Sequence, residues 1–412
     1  MLDIFFYRIP FSNPYRTSSL DLTERTGWIF KYQREGITSL AEYAPLPGFG
    51  KPDEAGILNF RDPKRLQDFA NRSTELLSYP LPDIKEALDR EYDSPGLAFA
   101  LSSLAVQHYV KSSQITDTEL LLGSSRVDNS SKLAINDLWS IPSTFPGTEE
   151  ENMWMHECLT RAVNQDLRDI KLKCDNDLDR LKRVAGFLTH WNRTTGRLNT
   201  EFCVKIKADF NRSLSWDDLK SIDEQLSQEE KQVVAYLEDP VDITNLSDLE
   251  KLRVSTSIPI GLDETLLSLI DQIPYDELCP ILKESKIEVL VVKPPLFGSV
   301  FSLVNLWQTF AEDETDLVFS SLLESSVGRA ITVRLAELLG SKRHSHGLWT
   351  GSLFTQDIGE DPIHRNRSAQ DRQNKKESFS KKSFSKEKQH LWVDPSQVYT
   401  GHPLLNLVFQ AG

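Results

Sequence analysis

Between about residue 116 and residue 350 the chain repeats one pattern: a short apolar, β-branched run, an amphipathic polar stretch, then another run. That alternation predicts βαβ units and a parallel sheet. The predicted strands are TELLLGSSRV, RDIKLKC, TEFCVKIKADF, VVAYLEDP, IPIGLDET, IEVLVVKPPL, DLVFSSLLES and HGLWTG. Such a series predicts an α/β protein with a closed (β/α)8 TIM-type barrel. A doubly wound sheet would place a glycine-rich phosphate turn after its first strand, and the sequence has neither GxGxxG nor a Walker loop. Within the barrel pattern, the run Val289–Leu290–Val291–Val292 is apolar enough to be buried on both faces, yet Lys293 follows it directly.

The first 115 residues read differently. Strand-like runs at FFYRIPF, GWIFKYQ and TSLAEYAP precede helical stretches around Leu66–Leu77 and Leu97–Val110, which predicts an α+β capping domain over 1–115 ahead of a barrel over 116–355. Residues 364–390 are basic and almost free of apolar side chains, so they predict a mobile, solvated insertion. A partner-binding role is the other reading of that stretch. The apolar segment over 391–412 is expected to pack back onto the capping domain.

Composition narrows the function classes. A chain of 412 residues with 39% hydrophobic and 26% charged residues suits a soluble globular protein, and no run reaches the roughly 18 apolar residues of a membrane span. The net charge of −14 opposes non-specific attraction to nucleic acid or anionic lipid. The N-terminus lacks the ordered regions of a signal peptide, so Ile4–Ile9 reads as a first strand. Cys158, Cys174, Cys203 and Cys279 have no CxxC spacing; they read as reduced thiols in a cytoplasmic protein.

Active-site groups of such a barrel sit where strands end at the C-terminal face. Asp209 closes the third predicted strand, Glu238 the fourth, Asp263 the fifth and Lys293 the sixth, each one βα unit after the last. Any one of these carboxylates could cap a helix. Three in register would converge and repel, and a hard divalent cation, Mg2+ or Mn2+, resolves that repulsion. Two KxK pairs could face Lys293. Lys205 and Lys207 share a strand with Asp209 and read as interior or ion-paired residues, whereas Lys171 and Lys173 on the second predicted strand point inward beside the carboxylates.

KxK, DxNR, the Glu of ExP, the Asp of DE and the Lys of VVKP, at these intervals, resemble the enolase superfamily in its muconate-lactonizing subgroup. AEYAPLPGFG, Ala41–Gly50, is similar to the capping-domain loop of the o-succinylbenzoate synthase family, and SSLLESSVG, Ser320–Gly328, to its seventh strand end. The resemblance spans nearly the whole chain apart from the basic insertion. It implies a metal held by Asp209, Glu238 and Asp263 and dehydration of a small carboxylate, 2-succinyl-6-hydroxy-2,4-cyclohexadiene-1-carboxylate. Lys173 is then the proton-abstracting base with Lys171 beside it, and Lys293 stabilises the anion or stacks on the ring from the opposite face.

The same resemblance gives Asn211 the task of orienting Asp209, with a plain turn as the alternative. Gly48 allows the loop a tight bend and Phe49 closes it over the pocket, or the loop is a structural turn. Ser325 and Ser326 bind a substrate carboxylate or cap a helix. Two positions depart from the pattern: EDP stands where relatives often have EEP, and GLWT, with Trp349, where they often have GLDT. An N-acylamino acid racemase or dipeptide epimerase of the superfamily is the rival reading. The oligomeric state is not legible in the sequence.

Overall fold

The computed structural model describes residues 1–16, 21–49, 63–91, 94–123, 133–139, 148–164, 167, 169–285, 287–363 and 405–409. The predicted basic insertion and the start of the C-terminal segment lie outside them. Two sheets organise the described residues. An antiparallel one has the order β11-β1-β2-β3, from β1 (Leu2–Arg16), β2 (Asp21–Arg34), β3 (Ile37–Tyr43) and β11 (Leu405–Phe409).

β3 is an edge strand, and the helix Pro95–Ser113 covers it. That helix starts at Ser94, whose hydroxyl accepts from the Leu97 N–H, with Pro95 in its first turn. Its Gln107 amide bonds the Leu40 carbonyl at 2.7 Å and Lys111 the Thr38 carbonyl at 2.7 Å, so backbone acceptors on the strand edge are satisfied.

The second sheet is parallel. It runs β4 (Asn136–Trp139), β5 (Asp169–Lys173), β6 (Lys205–Asp209), β7 (Val234–Glu238), β8 (Ile260–Leu262), β9 (Val289–Val292) and β10 (Asp316–Phe319), in sequence order. The eighth position is a short segment, not a full strand: His346 bridges Ile135 and Gly347 bridges Ser320, both in parallel sense. Those two residues join β10 to β4 and close the barrel. Alternation then divides β9. Leu290 and Val292 join the main core, whereas Val289 and Val291 pack with Tyr236 and Val318 in a separate interior cluster.

The predicted first barrel strand is a correction. TELLLG does not form a strand; Asp117–Leu122 is a helix. Thr116 and Glu119 form a reciprocal capping box, and Gly123 ends the turn in the left-handed region. This local start and stop signal outweighs the apolar run. The true first strand, NDLW, is short and half polar, which hid it.

Candidate active site

The end of each central barrel strand delivers one charged side chain to the same rim. Register pairs Lys173 with Asp209 across β5 and β6, and Asp209 with Glu238 across β6 and β7. Asp263 follows β8 directly and Lys293 follows β9. Asp209, Glu238, Asp263 and Lys293 are all buried. Lys171 lies 2.9 Å from Asp209 and 2.5 Å from Glu238. Lys173 is paired with Asp209, and Lys293 with Asp263 at 2.5 Å. The lysines therefore flank the carboxylate arc, Lys171 and Lys173 from one side and Lys293 from the other.

Burial and charge oppose each other here. Burial favours neutral side chains, but the Lys171 and Lys173 ammoniums outweigh it and hold Asp209 well below the usual carboxylate range. Asp263 is also held low against burial, chiefly by Lys293. For Glu238 burial prevails: with the charges of Asp209 and Asp263 added, it overcomes the pull of Lys171 and pushes the carboxyl up to about 8. On the cationic side, carboxylates outweigh burial and raise both Lys171 and Lys293.

The donor chemistry fits a hard divalent cation. Three carboxylates end successive strands, and Glu238 is a buried carboxyl that its lysine neighbour leaves under-compensated. Among the described residues no three acidic, histidine or cysteine side chains are already gathered as a ligand set; lysines hold these carboxylates instead.

The other predicted residues fall around this arc. The Asn211 N–H donates to Asp209 at 3.1 Å, and its side-chain oxygen accepts from Lys173 at 3.3 Å. Its backbone is left-handed, φ 48°, as in a turn, and its side-chain amide donates to Asp175 at 3.1 Å. Gly48 is also left-handed, φ 80°, and the turn it forms places the Phe49 ring centroid 5.5 Å from the Lys293 ammonium. Ser325 caps the helix Ser326–Leu339 and donates its hydroxyl to Glu42. The Ser326 N–H donates to Asp357 at 3.0 Å. Both serines are buried, and both are placed by helix-start contacts. Lys207 lies inside the barrel, hydrogen-bonded to Asn136 at 3.5 Å, whereas Lys205 is exposed.

Sequence reasoning passed over three contributors. Asp239 of the EDP triplet is buried and accepts from the N–H groups of Asp263, Glu264 and Thr265, at 3.1, 2.7 and 3.2 Å. It thereby anchors the backbone that carries Asp263; burial, then the Asp263 charge, pushes it up to about 6. Glu324 is buried behind the seventh strand, where the Leu322 N–H donates to it at 2.8 Å. Glu42 reaches the same loop from β3. An acidic residue inside the apolar run ITSLAEY was the available signal for it.

Solved structures share this architecture. A probable mandelate racemase from Alicyclobacillus acidocaldarius superposes with a TM-score of 0.65 at 18% identity, covering 88% of each chain. The muconate lactonizing enzyme of Pseudomonas fluorescens gives 0.64 at 16%, over 88% of this chain and 90% of its own. The L-Ala-D/L-Glu epimerase of Bacillus subtilis gives 0.63 at 12%, over 87% and 92%. The fold is that of the enolase superfamily, to which further neighbours are assigned.

In sequence, the chain is related to o-succinylbenzoate synthases. It is 30% identical over 128 residues to the o-succinylbenzoate synthase of Mycobacterium ulcerans, covering 31% of this chain and 36% of that protein. The Mycolicibacterium smegmatis o-succinylbenzoate synthase is 28% identical over 155 residues, covering 38% and 44%. The chain thus matches less than half the length of these curated relatives. No family profile matches it. No helix among the described residues is long and apolar enough to cross a membrane.

Proposed function

We propose that the chain dehydrates 2-succinyl-6-hydroxy-2,4-cyclohexadiene-1-carboxylate to o-succinylbenzoate, a step of menaquinone synthesis, as a carbon–oxygen lyase. The observation that carries the reading is the arc of three buried carboxylates flanked by Lys171 and Lys173 on one side and Lys293 on the other. The relatedness to o-succinylbenzoate synthases supports the choice of substrate.

Removing a proton α to a carboxylate builds negative charge on that carboxylate. A divalent cation held by Asp209, Glu238 and Asp263, Mg2+ or Mn2+, supplies compensating charge when bound. Lys173 takes the α-proton as a neutral amine, and the C–H electron pair passes into the carboxylate. The pair then returns to form the ring double bond, the C–O bond breaks, and the Lys173 ammonium hands its proton to the departing hydroxide, which leaves as water. Lys173 has the most open side chain of the three lysines, 33% exposed against 17% for Lys171 and 10% for Lys293. Proton traffic suits the accessible lysine, and charge stabilisation the enclosed one.

Lys171 remains the fixed countercharge between Asp209 and Glu238, while Phe49 shields Lys293 from water. The test is loss of diene absorbance on mixing protein, Mg2+ and substrate, with Lys173→Ala and a chelated sample as controls. An inert wild type overturns the reading.

The second reading is racemisation or epimerisation of an N-acylated amino acid or dipeptide. Lysines on both sides of the arc favour it, because each could serve one face of an α-carbon. Against the dipeptide case, His346–Gly351 contains no DxD with which to hold an ammonium. Deuterium exchange at the α-carbon of such substrates separates the two.

A further inference from the structure

Glu42 ends up buried at the close of β3, and its carboxylate meets the loop that follows the seventh barrel strand, 283 residues further along. It accepts the Ser325 N–H at 3.0 Å, the Gly328 N–H at 2.9 Å and the Ser325 hydroxyl, while the Tyr7 hydroxyl donates to it at 2.5 Å. Two of these donors are backbone groups at the start of the helix Ser326–Leu339, 283 residues away or more, which have no partner within the helix. Gly328 makes room for the contact: a Cβ there would lie 2.8 Å from the Glu42 carboxylate.

A cation completes the join. The buried Arg25 donates to the Leu323 carbonyl at 3.1 Å on the barrel side, and to the Pro45 carbonyl at 2.9 Å and the Ala44 carbonyl on the other. Leu323 itself is held left-handed, φ 61°, a conformation that needs outside support in a non-glycine residue. Residues 42–45 lead directly into the Leu46–Phe49 turn, and that turn sets Phe49 against Lys293.

We infer that Glu42 is a positioning residue: it clamps the seventh-strand loop to the strand that leads into the Phe49 turn, so that the turn that sets Phe49 against Lys293 is held to the barrel. The clamp is a property of the fold, whereas its kinetic consequence rests on the dehydratase reading. Lys173, Lys171 and the carboxylates are placed by other strands, so loosening the clamp should impair substrate binding far more than the chemical step.

The experiment compares full-length wild type, Glu42→Gln and Ser325→Ala by two readouts: steady-state kinetics on the cyclohexadiene with Mg2+, and amide hydrogen exchange over residues 323–330. Glu42→Gln should speed exchange at Ser325 and Gly328 and raise KM about tenfold with kcat within about threefold. Ser325→Ala should shift both in the same direction by less; if Glu42→Gln does not fold, Ser325→Ala decides alone. Unchanged exchange overturns the clamp. Faster exchange with KM unchanged, or with the loss falling on kcat alone, overturns positioning. A wild type that leaves the diene intact sinks the dehydratase reading and its kinetic corollary, while the exchange result still decides the clamp.

Discussion

Lys173 and Asp209 are register partners on adjacent parallel strands, and their side chains are also ion-paired above the sheet. Backbone pairing therefore sets the distance from the proposed base to the first proposed metal ligand. Asn211 adds a second acceptor for the ammonium and donates its own N–H to Asp209. Strand pairing of this kind positions a site more rigidly than loop contacts alone.

Replacing Lys173 by alanine should lower kcat by about 10²–10⁴-fold, the ordinary contribution of a positioned acid–base group. The folded state should persist, because the side chain is partly open and Lys171 still compensates Asp209. Diene loss, read beside the far-ultraviolet circular dichroism of the variant, checks both halves of this expectation.

Glu238→Gln should weaken Mn2+ binding by at least about tenfold, since loss of a ligand costs no less than loss of a residue that orients one. Titration of the free-ion electron paramagnetic resonance signal measures this without turnover. Unaltered Mn2+ affinity would remove Glu238 from the ligand set.

Phe49→Ala takes away the ring 5.5 Å from the Lys293 ammonium. A cation–π contact of about 1 kcal/mol corresponds to about a fivefold fall in kcat/KM. Phe49→Tyr should recover most of that loss, whereas Phe49→Leu should not.

His346, in the segment that closes the barrel, is pushed down to about 3 by burial and then by the Lys207 charge. Its ordinary value is about 6.5, so below that pH the unfolded chain binds a proton that the folded protein refuses. This contribution to stability is complete above pH 6.5 and is lost progressively as pH falls toward 3, by up to about 1.4 kcal/mol per pH unit. His344 acts in the same direction, lowered to about 4 by burial first. Urea unfolding of wild type and His346→Gln between pH 4 and 6.5 should show a shallower pH slope in the variant.

The sequence by itself determined the order of charges around the barrel. Parallel strands joined by helices can only present their C-terminal ends to one rim, so Asp209, Glu238, Asp263 and Lys293 had to meet once each closed an apolar run. Period-two alternation likewise separated Lys171 and Lys173 from the side chains buried against the outer helices. The same reading failed at TELLLG, where a four-residue capping signal decided for helix against the apolar run, and at NDLW, which was too short and polar to show any period.

Only the tertiary structure decided how the charges are partnered. Which carboxylate each lysine compensates depends on side-chain reach across strands, which spacing does not encode. The contact of Glu42 with Ser325 and Gly328 is further still from legibility. Local patterns record what a residue does within its own element, and the join between β3 and the Ser326–Leu339 helix exists only because folding brings unsatisfied N–H groups against a buried carboxylate.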